Sequence, residues 1–336
     1  MKLSFILILI VTMISCKAQT NKDTEFSPIV QKAKETSLYT DQVNWQEVNQ
    51  KYVQLTNGAK TIDEKKKGYE YLLNSLKDKH ARILNAQDYS TEAYYTGEQL
   101  NPDTRQFNQE FMQTVINNPD LKFSYKILDD VGILKIVTIG PGGNVKEQSD
   151  EIRNGVIELK KQNIDKWIVD LRYNGGGNIE PMMSGLAPLI GEGKVGGSVN
   201  LEGEPLRDYT IKDAQFYNWG RLTCEMKNEP SITKDEKVAV LLSRYTISSG
   251  EMLAISFKGR PNTRFFGEKS GGLTTGNGFD LINDEVYLVI SQDIFSDRIN
   301  VAYMDKVGVD EFMAFDHTWT LDNDKQIKKA IEWLKE

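Results

Sequence analysis

Ser248 lies where a reactive serine would gain most from the surrounding backbone. The apolar run 238–242 predicts a buried strand and residues 250–257 predict a helix, so Ser248 falls in the loop between them. The start of a helix offers free N–H groups and a positive dipole end, which stabilise the oxyanion formed when a serine attacks a carbonyl. The N–H of Ser249 is the first candidate donor. Ser248 and Glu251 also fit a helix capping box, so this segment alone does not separate a nucleophile from a cap.

Two glycine-rich segments follow other predicted strands. The apolar run 167–171 predicts a buried strand, and three consecutive glycines follow it at 175–177. Such a run lets the backbone turn sharply or lets another group approach closely, so it could supply a second oxyanion donor or only a tight turn. The absence of a following Gly-Lys-Ser/Thr argues against a phosphate loop. The second segment, 266–277, is on its own only a glycine-rich loop.

In this order, the three segments resemble the C-terminal processing, or tail-specific, serine peptidases and their relatives in the tricorn core. The family patterns Asp-Leu-Arg-x-Asn-x-Gly-Gly, strand–Thr-x-Ser-x-x-Glu and Gly-Glu-x-Thr-x-Gly correspond to 170–177, 238–251 and 267–276. The resemblance extends over roughly residues 30–334. It implies an α/β fold with a crotonase-like core of repeated strand–strand–helix units, and it implies hydrolysis of peptide bonds.

The resemblance also implies roles for individual residues. Matched position by position, the nucleophile is Ser248. The oxyanion donors are the N–H of Ser249 and one glycine N–H of the run 175–177, with Gly176 preferred. No metal or organic cofactor is implied.

The general base differs from that of the bacterial tail-specific branch. That branch uses a lysine in Thr-x-Gly-Lys, but this chain has Asn277 there, and an amide cannot accept the proton. The tricorn-like branch uses a histidine in a segment resembling Leu-x-Asp-x-His, which matches residues 76–80 here. A neutral imidazole suits this task, so His80 is the expected base. Lys269 and His317, the only other histidine, are alternatives.

A carboxylate is expected to complete the catalytic group. The tricorn-like acid lies before the last helix, where Asp310 is the chosen candidate and Asp305 and Glu311 are alternatives. Asp78 is a further alternative, although it could serve only to cap a turn. About 50 residues separate His80 from the strand at Gly132, too few for a PDZ domain of roughly 80–100 residues. The expected relative is therefore PDZ-less.

The N-terminus predicts export. Lys2 precedes a short apolar run that ends at Cys16, and this pattern resembles a bacterial lipoprotein signal peptide at 1–16. Lipidation of Cys16 would anchor the protein to a membrane of the cell envelope, facing the periplasm or on the outer surface. An ordinary signal peptide with an incidental cysteine is the alternative. Cys224 would then be alone in the mature fold, so no disulfide and no CxxC metal site are expected.

The remaining patterns predict the domain order. Residues 17–27 predict a tether, 28–120 a mainly helical region, and 121–336 the catalytic domain. Within these we expect a hairpin formed by 123–128 and 132–139. The predicted helices are 106–116, 147–162, 181–190 and 325–335.

Charge and motifs together leave three functions open. The net charge of −7 offers no basic surface for nucleic acid. The favoured function is a lipid-anchored serine peptidase acting on a protein or peptide through an acyl-enzyme on Ser248. The alternative, favoured by Asn277, is a catalytically inactive peptide- or ligand-binding protein on the same fold. A third possibility is hydrolysis of a non-peptide ester or amide.

Overall fold

The computed structural model describes residues 25–97, 122–140, 142–227, 232–315 and 324–336. The helices are α1 Pro28–Thr36, α2 Trp45–Thr56, α3 Ile62–Leu76, α4 Val145–Lys161, α5 Ile179–Ile190, α6 Ser249–Phe257 and α7 Lys325–Lys335. The strands are β1 Arg82–Asn85, β2 Thr91–Tyr94, β3 Ser124–Leu128, β4 Val131–Lys135, β5 Lys166–Asp170, β6 Gly193–Val199, β7 Pro205–Lys212, β8 Gln215–Asn218, β9 Arg221–Leu222, β10 Lys237–Leu242, β11 Thr263–Gly267, β12 Thr275–Ile282, β13 Val286–Ser296 and β14 Glu311–Phe312. None of the helices within these ranges is long and apolar enough to cross a membrane.

A six-stranded sheet carries the Ser248 loop. Its order is β14-β11-β10-β5-β4-β3, and the strands from β14 to β4 run parallel while β3 pairs antiparallel with β4. Because β5 and β10 are parallel neighbours, with Asp170 opposite Leu241, their carboxyl ends meet at one edge. The glycine run follows β5 and Ser248 follows β10, so the topology brings these two segments together.

An eight-stranded, mainly antiparallel sheet carries the expected base. Its order is β2-β1-β13-β6-β7-β8-β9, and β12 pairs with β13. Strand β1, which follows His80, lies antiparallel to β13 with Arg82 opposite Val289. The N-terminal region is therefore helical up to α3 and then joins a sheet built mainly from the C-terminal half.

Three buried clusters hold these layers together. The largest joins one face of the six-stranded sheet to α4, α5 and α6 and to strands β6–β8 of the other sheet. A second lies between α7 and the opposite face of the six-stranded sheet, and the third packs α1–α3 on β1 and β13. Burial of these apolar side chains is the main favourable contribution to folding.

The predicted elements that lie within the described residues are largely confirmed. The α/β architecture, the β3–β4 hairpin, the strands β5 and β10 and the helices α4–α7 are present close to their expected bounds. The predicted helix 106–116 lies outside the described residues. Strands β1 and β2, within the region predicted as mainly helical, were not predicted, and neither were β6–β9, β12 and β14; β6 was missed partly because it contains Gly196 and Gly197. Strand β7 approaches so closely that a Cβ on Gly197 would lie 2.1 Å from the Arg207 carbonyl oxygen.

Candidate active site

Ser248 occupies a strained corner between β10 and α6. It is half-buried, precedes the first residue of α6, and has φ 55° and ψ −125°. A positive φ is unfavourable for a residue with a Cβ, so the surrounding contacts must hold this conformation. The loop is tied to the end of β5, because Thr246 Oγ1 donates to the Leu171 carbonyl (2.8 Å) and the Ile247 N–H donates to the Asn174 carbonyl (3.0 Å). A strained strand-to-helix turn presents a nucleophile clear of its own strand.

The glycine run packs directly against this corner. Gly176 has φ +89°, and a Cβ added to it would lie 2.7 Å from the Ser248 Cβ and 2.9 Å from the Ser249 nitrogen. Only glycine fits without movement of the neighbouring backbone. The backbone of 176–177 therefore lies beside the candidate nucleophile, as the order of β5 and β10 requires.

Two N–H groups near Ser248 remain available for a ligand. Among the described residues, no hydrogen-bond acceptor lies within reach of the N–H of Ser249 or that of Gly177. The Ser249 hydroxyl donates to the Gly177 carbonyl at 2.7 Å, which holds the two segments together. Gly175 N–H donates to Thr138 Oγ1 (2.8 Å) and Gly176 N–H donates to Asn174 Oδ1 (2.9 Å). This differs from the expectation that Gly176 supplies the donor, because its N–H is already hydrogen-bonded to Asn174. The role of Gly176 here is to lack a side chain, which lets the backbone approach Ser248 closely.

Glu251 connects the Ser248 corner to the loop 270–273. Its buried carboxylate accepts hydrogen bonds from the N–H groups of Ser248 (2.9 Å), Gly272 (2.8 Å) and Leu273 (2.8 Å) and from the Ser270 hydroxyl. Burial raises the pKa of Glu251 to about 7, although the four hydrogen bonds favour its charged form. The capping pattern identified Glu251, but sequence did not indicate that it also binds a loop twenty residues away.

His80 lies between α3 and β1 and is buried. Its Nδ1 is 2.9 Å from Thr275 Oγ1, which makes Nε2 the candidate nitrogen for a base. Burial, helped by the positive charge of Arg82, lowers the pKa of His80 to about 3. The imidazole is therefore neutral at pH 7 and can accept a proton, although a pKa this low makes it a weak base.

Residues 273–275 are linked to both candidate catalytic residues, to Ser248 through Glu251 and to His80 directly. Leu273 donates its N–H to Glu251, which in turn binds the N–H of Ser248, while Thr275 contacts the His80 ring. Nucleophile and base are therefore both linked to the same three-residue segment, although they lie next to strands of different sheets.

A buried polar network lies behind His80. Thr275 Oγ1 is 2.8 Å from Ser291 Oγ, and Ser291 Oγ is 2.9 Å from Asp78 Oδ1. Asp78 Oδ1 also accepts the His80 N–H (2.9 Å), and Oδ2 accepts the Ser291 N–H (2.8 Å). Asn277, at the position of the missing lysine, lies at the edge of this network, with its Oδ1 3.4 Å from Ser291 Oγ.

The remaining candidates have other partners. Asp310 is exposed, and its Oδ2 accepts the N–H of Phe265 in the middle of β11 (2.8 Å). The expectation that Asp310 orients the base is therefore corrected, because this carboxylate is bound to a strand backbone and the His80 ring contacts Thr275. The alternatives have partners other than His80: Asp305 pairs with Lys79 (3.7 Å), Glu311 pairs with Arg264 (2.9 Å), and Lys269 is exposed. His317 and Cys16 lie outside the described residues.

In the part of the chain that the structure describes, the site offers donors for an anion and no cluster for a metal. Within the described ranges, no three histidine, cysteine, aspartate or glutamate side chains are grouped so that they could hold a metal ion. Backbone N–H donors lie beside Ser248 and the buried Glu251 carboxylate binds its N–H, while the neutral His80 imidazole is linked to this corner through residues 273–275. Such a set fits attack by a serine hydroxyl on a carbonyl carbon.

Comparison with known proteins finds relatives in sequence and in structure. The nisin-resistance protein of Lactococcus lactis subsp. lactis is 27% identical over 302 residues, which cover 90% of this chain and 83% of that relative. A lipoprotein from Streptococcus agalactiae has a similar structure, with a TM-score of 0.65 and 20% identity over 91% of this chain and 93% of that one. The photosystem II D1 C-terminal processing protease shares the fold with a TM-score of 0.55 and 13% identity, covering 85% of this chain and 91% of that one.

The family model of peptidase family S41 matches residues 130–311. This region is more than half of the 336 residues, and it contains the glycine run, Ser248, Glu251 and the loop that ends at Thr275. The chain belongs to peptidase family S41.

Proposed function

We propose that this protein is a serine peptidase that cleaves a protein or peptide substrate through an acyl-enzyme on Ser248. The close approach of Gly176 to Ser248 carries the most weight, because it joins the glycine run to the corner that bears the hydroxyl. The two unengaged N–H groups beside that corner are suited to bind an oxyanion.

The reaction follows from the groups present. Ser248 Oγ attacks the peptide carbonyl carbon while its proton passes to His80 Nε2. The carbonyl oxygen becomes an oxyanion held by the N–H groups of Ser249 and Gly177. The C–N bond then breaks, and the leaving amine takes the proton from Nε2. Water attacks the acyl-enzyme and gives its proton to Nε2, which releases the acid and returns the proton to Ser248 Oγ.

A fluorophosphonate probe tests this assignment. Attack by Ser248 Oγ forms an O–P bond and expels fluoride, so it reports an activated serine without requiring a known substrate. We expect the wild-type protein to be labelled, Ser248→Ala to be unlabelled, and His80→Ala to react far more slowly. His317→Ala, which removes the only other histidine, is the matched control and should react like wild type. Labelling that persists in Ser248→Ala would refute the nucleophile, and normal labelling of His80→Ala would refute the base.

Nisin is the first substrate to test, because a relative over most of the chain is named for resistance to it. Incubation followed by mass spectrometry should show cleavage by the wild-type protein and none by Ser248→Ala. Binding of the peptide by both proteins with no product from either would favour the alternative function, a catalytically inactive binding protein. Asn277 in place of the lysine is the feature that favours that alternative.

We also propose that the protein is lipid-anchored at Cys16 in the cell envelope. The apolar segment that ends in this cysteine supports the proposal, and one structural relative is itself described as a lipoprotein. Growth with a labelled fatty acid should mark the wild-type protein but not Cys16→Ala, and Cys224→Ala is the control. Absence of label from the wild-type protein would reject the anchor.

A further inference from the structure

We infer that Asp78 is a positioning residue that fixes the tautomer of His80 through two hydroxyl groups, those of Ser291 and Thr275. The inference rests on the proposed function for its catalytic meaning, but the tautomer itself is a property of the folded protein. Asp78 therefore replaces Asp310 as the carboxylate that serves the base.

Among the described residues, the carboxylate of Asp78 is hydrogen-bonded to two backbone N–H groups and one hydroxyl group. Oδ2 accepts the Ser291 N–H, and Oδ1 accepts the His80 N–H and lies 2.9 Å from Ser291 Oγ. Asp78 is 1% exposed, and Ser291 and His80 are buried beside it. Burial raises the pKa of Asp78, but the backbone N–H groups of Ser291 and His80 favour its ionised form. Each oxygen of Asp78 already accepts a backbone N–H, as an ionised carboxylate does, so the Ser291 hydroxyl is assigned as the donor to Oδ1.

Donation from Ser291 to Asp78 fixes the position of every other proton in the series of hydrogen bonds that leads to His80. Ser291 has a single hydroxyl proton, and it is used toward Asp78. The contact between Ser291 and Thr275 at 2.8 Å then requires Thr275 to donate. Thr275 in turn has no proton left for His80, so Nδ1 must carry the proton and donate to Thr275 Oγ1 across 2.9 Å.

The opposite arrangement leaves two acceptors facing each other. If His80 carried its proton on Nε2, Thr275 would donate to Nδ1 and Ser291 would donate to Thr275. Ser291 Oγ and the Asp78 carboxylate would then meet at 2.9 Å with no proton between them. This arrangement is unfavourable in a buried site, so the Nδ1–H tautomer is selected and Nε2 keeps the lone pair that a base needs.

Strand pairing holds the chain of groups in place. Thr275 begins β12 and Ser291 lies in β13, and the pairing of these strands shifts register between Gly276 and Asn277. The shift leaves Gln292 of β13 without a partner in β12, a bulge that brings Thr275 toward Ser291. Lys79 and Arg82 are the cations near His80, and Lys79 is paired with exposed Asp305. Neither cation contacts the hydroxyl groups.

The tautomer can be measured directly. In the full-length His317→Gln protein, His80 is the only imidazole, so two-dimensional ¹⁵N–¹H NMR reports its two ring nitrogens alone. At pH 7 we expect Nδ1 to carry the proton. Thr275→Ser keeps the hydroxyl and should keep this pattern, whereas Thr275→Val keeps the shape and should move the proton to Nε2. Asp78→Asn should also lose the Nδ1–H preference. Thr274→Val is the matched control, because the neighbouring buried hydroxyl donates to the Asp305 carbonyl and not to this chain.

A proton on Nε2 in the parent protein, or an unchanged tautomer in Thr275→Val, would overturn the inference. Fluorophosphonate labelling gives the second measurement, since loss of the correct tautomer in a serine–histidine site slows reaction by about 10²–10⁴-fold. We expect a loss in this range for Thr275→Val and Asp78→Asn, with Thr275→Ser close to wild type. If the tautomer behaves as expected but the wild-type protein is never labelled at Ser248, the peptidase proposal fails and the positioning role of Asp78 stands.

Discussion

Gly176 and Ser248 lie so close that a Cβ on the glycine would reach within 2.7 Å of the serine Cβ. They come from the ends of two parallel strands, β5 and β10, whose pairing places Asp170 opposite Leu241. Substitution at residue 176 should therefore act on the nucleophile rather than only on local folding.

We expect Gly176→Ala to slow fluorophosphonate labelling by about 10²-fold, because a displacement of about 1 Å at a nucleophile has an effect of this size. Gly191→Ala is the control. Gly191 has a similar φ of +91° but open space where a Cβ would lie, so the change should lower stability by about 1–2 kcal/mol and leave labelling unchanged. Equal labelling of the two variants would show that the contact with Ser248 has no role in reactivity.

The Ser249 N–H can be removed without removing the helix. Proline is accepted at the first position of a helix, and Ser249 is that position in α6. Ser249→Pro should lower kcat by about 10²–10³-fold, the usual effect of losing one oxyanion donor. Ser249→Ala keeps the N–H and loses only the hydroxyl bond to Gly177, so kcat should fall by less than about tenfold. Thermal unfolding should establish that both variants are folded. A wild-type kcat for the proline variant would show that the Ser249 N–H is not an oxyanion donor.

The pH dependence of labelling should report Glu251. Its carboxylate must be ionised to accept all the N–H groups of the Ser248 corner and the 270–273 loop, so reactivity should be lost as pH falls through its pKa of about 7. His80, with a pKa of about 3, stays neutral over this range and adds no step near 6.5. In the wild-type protein, labelling rates measured between pH 4.5 and 9 should therefore fall as the pH drops through about 7.

Glu251→Gln should react slowly at all these pH values, and its labelling rate should not change near pH 7, because an amide does not ionise. Glu311→Gln, a change at a half-exposed surface carboxylate, should keep the wild-type profile. If the labelling rate of Glu251→Gln still falls near pH 7, the titrating group is not Glu251.

Arg172 should be important for stability rather than for reactivity. Its guanidinium is buried and lies 2.7 Å from both Asp170 and Asp324, which joins the end of β5 to the start of α7. Arg172→Met leaves two buried carboxylates without their cation and should lower the free energy of unfolding by about 3–5 kcal/mol. Arg264→Met breaks a half-exposed pair with Glu311 and should lower it by less than about 1 kcal/mol. Urea unfolding compares the two, and similar losses would contradict the importance of burial.

Sequence patterns predicted the parts of the site that are formed by residues close together in the sequence. Apolar runs predicted β5 and β10, and the glycine run and Ser248 follow them directly. Residues 76–80 singled out His80 through a short motif. Each of these features is contained within about ten residues, so periodicity and spacing are informative.

The network behind His80 could not be predicted in the same way. His80 meets Thr275 across 195 positions, and Asp78 meets Ser291 across 213. These contacts depend on the register of β12 on β13, including one bulge, and a shift of one residue would turn the side chains to the other face. Asp310 was chosen by its position before the last helix, whereas its actual partner is a backbone N–H of β11.

Chain order delays the assembly of the site. A ribosome makes His80 early, but β13 and the residues around Thr275 emerge only about 200 residues later, since 195 positions separate His80 from Thr275. Before then the proposed base has neither its hydroxyl partner nor the strand on which β1 packs, and Ser248 lacks the loop bound by Glu251. Under the proposed mechanism, an unfinished chain has no peptidase activity. The proposed site is thus complete only after Thr275 and β13 have been made.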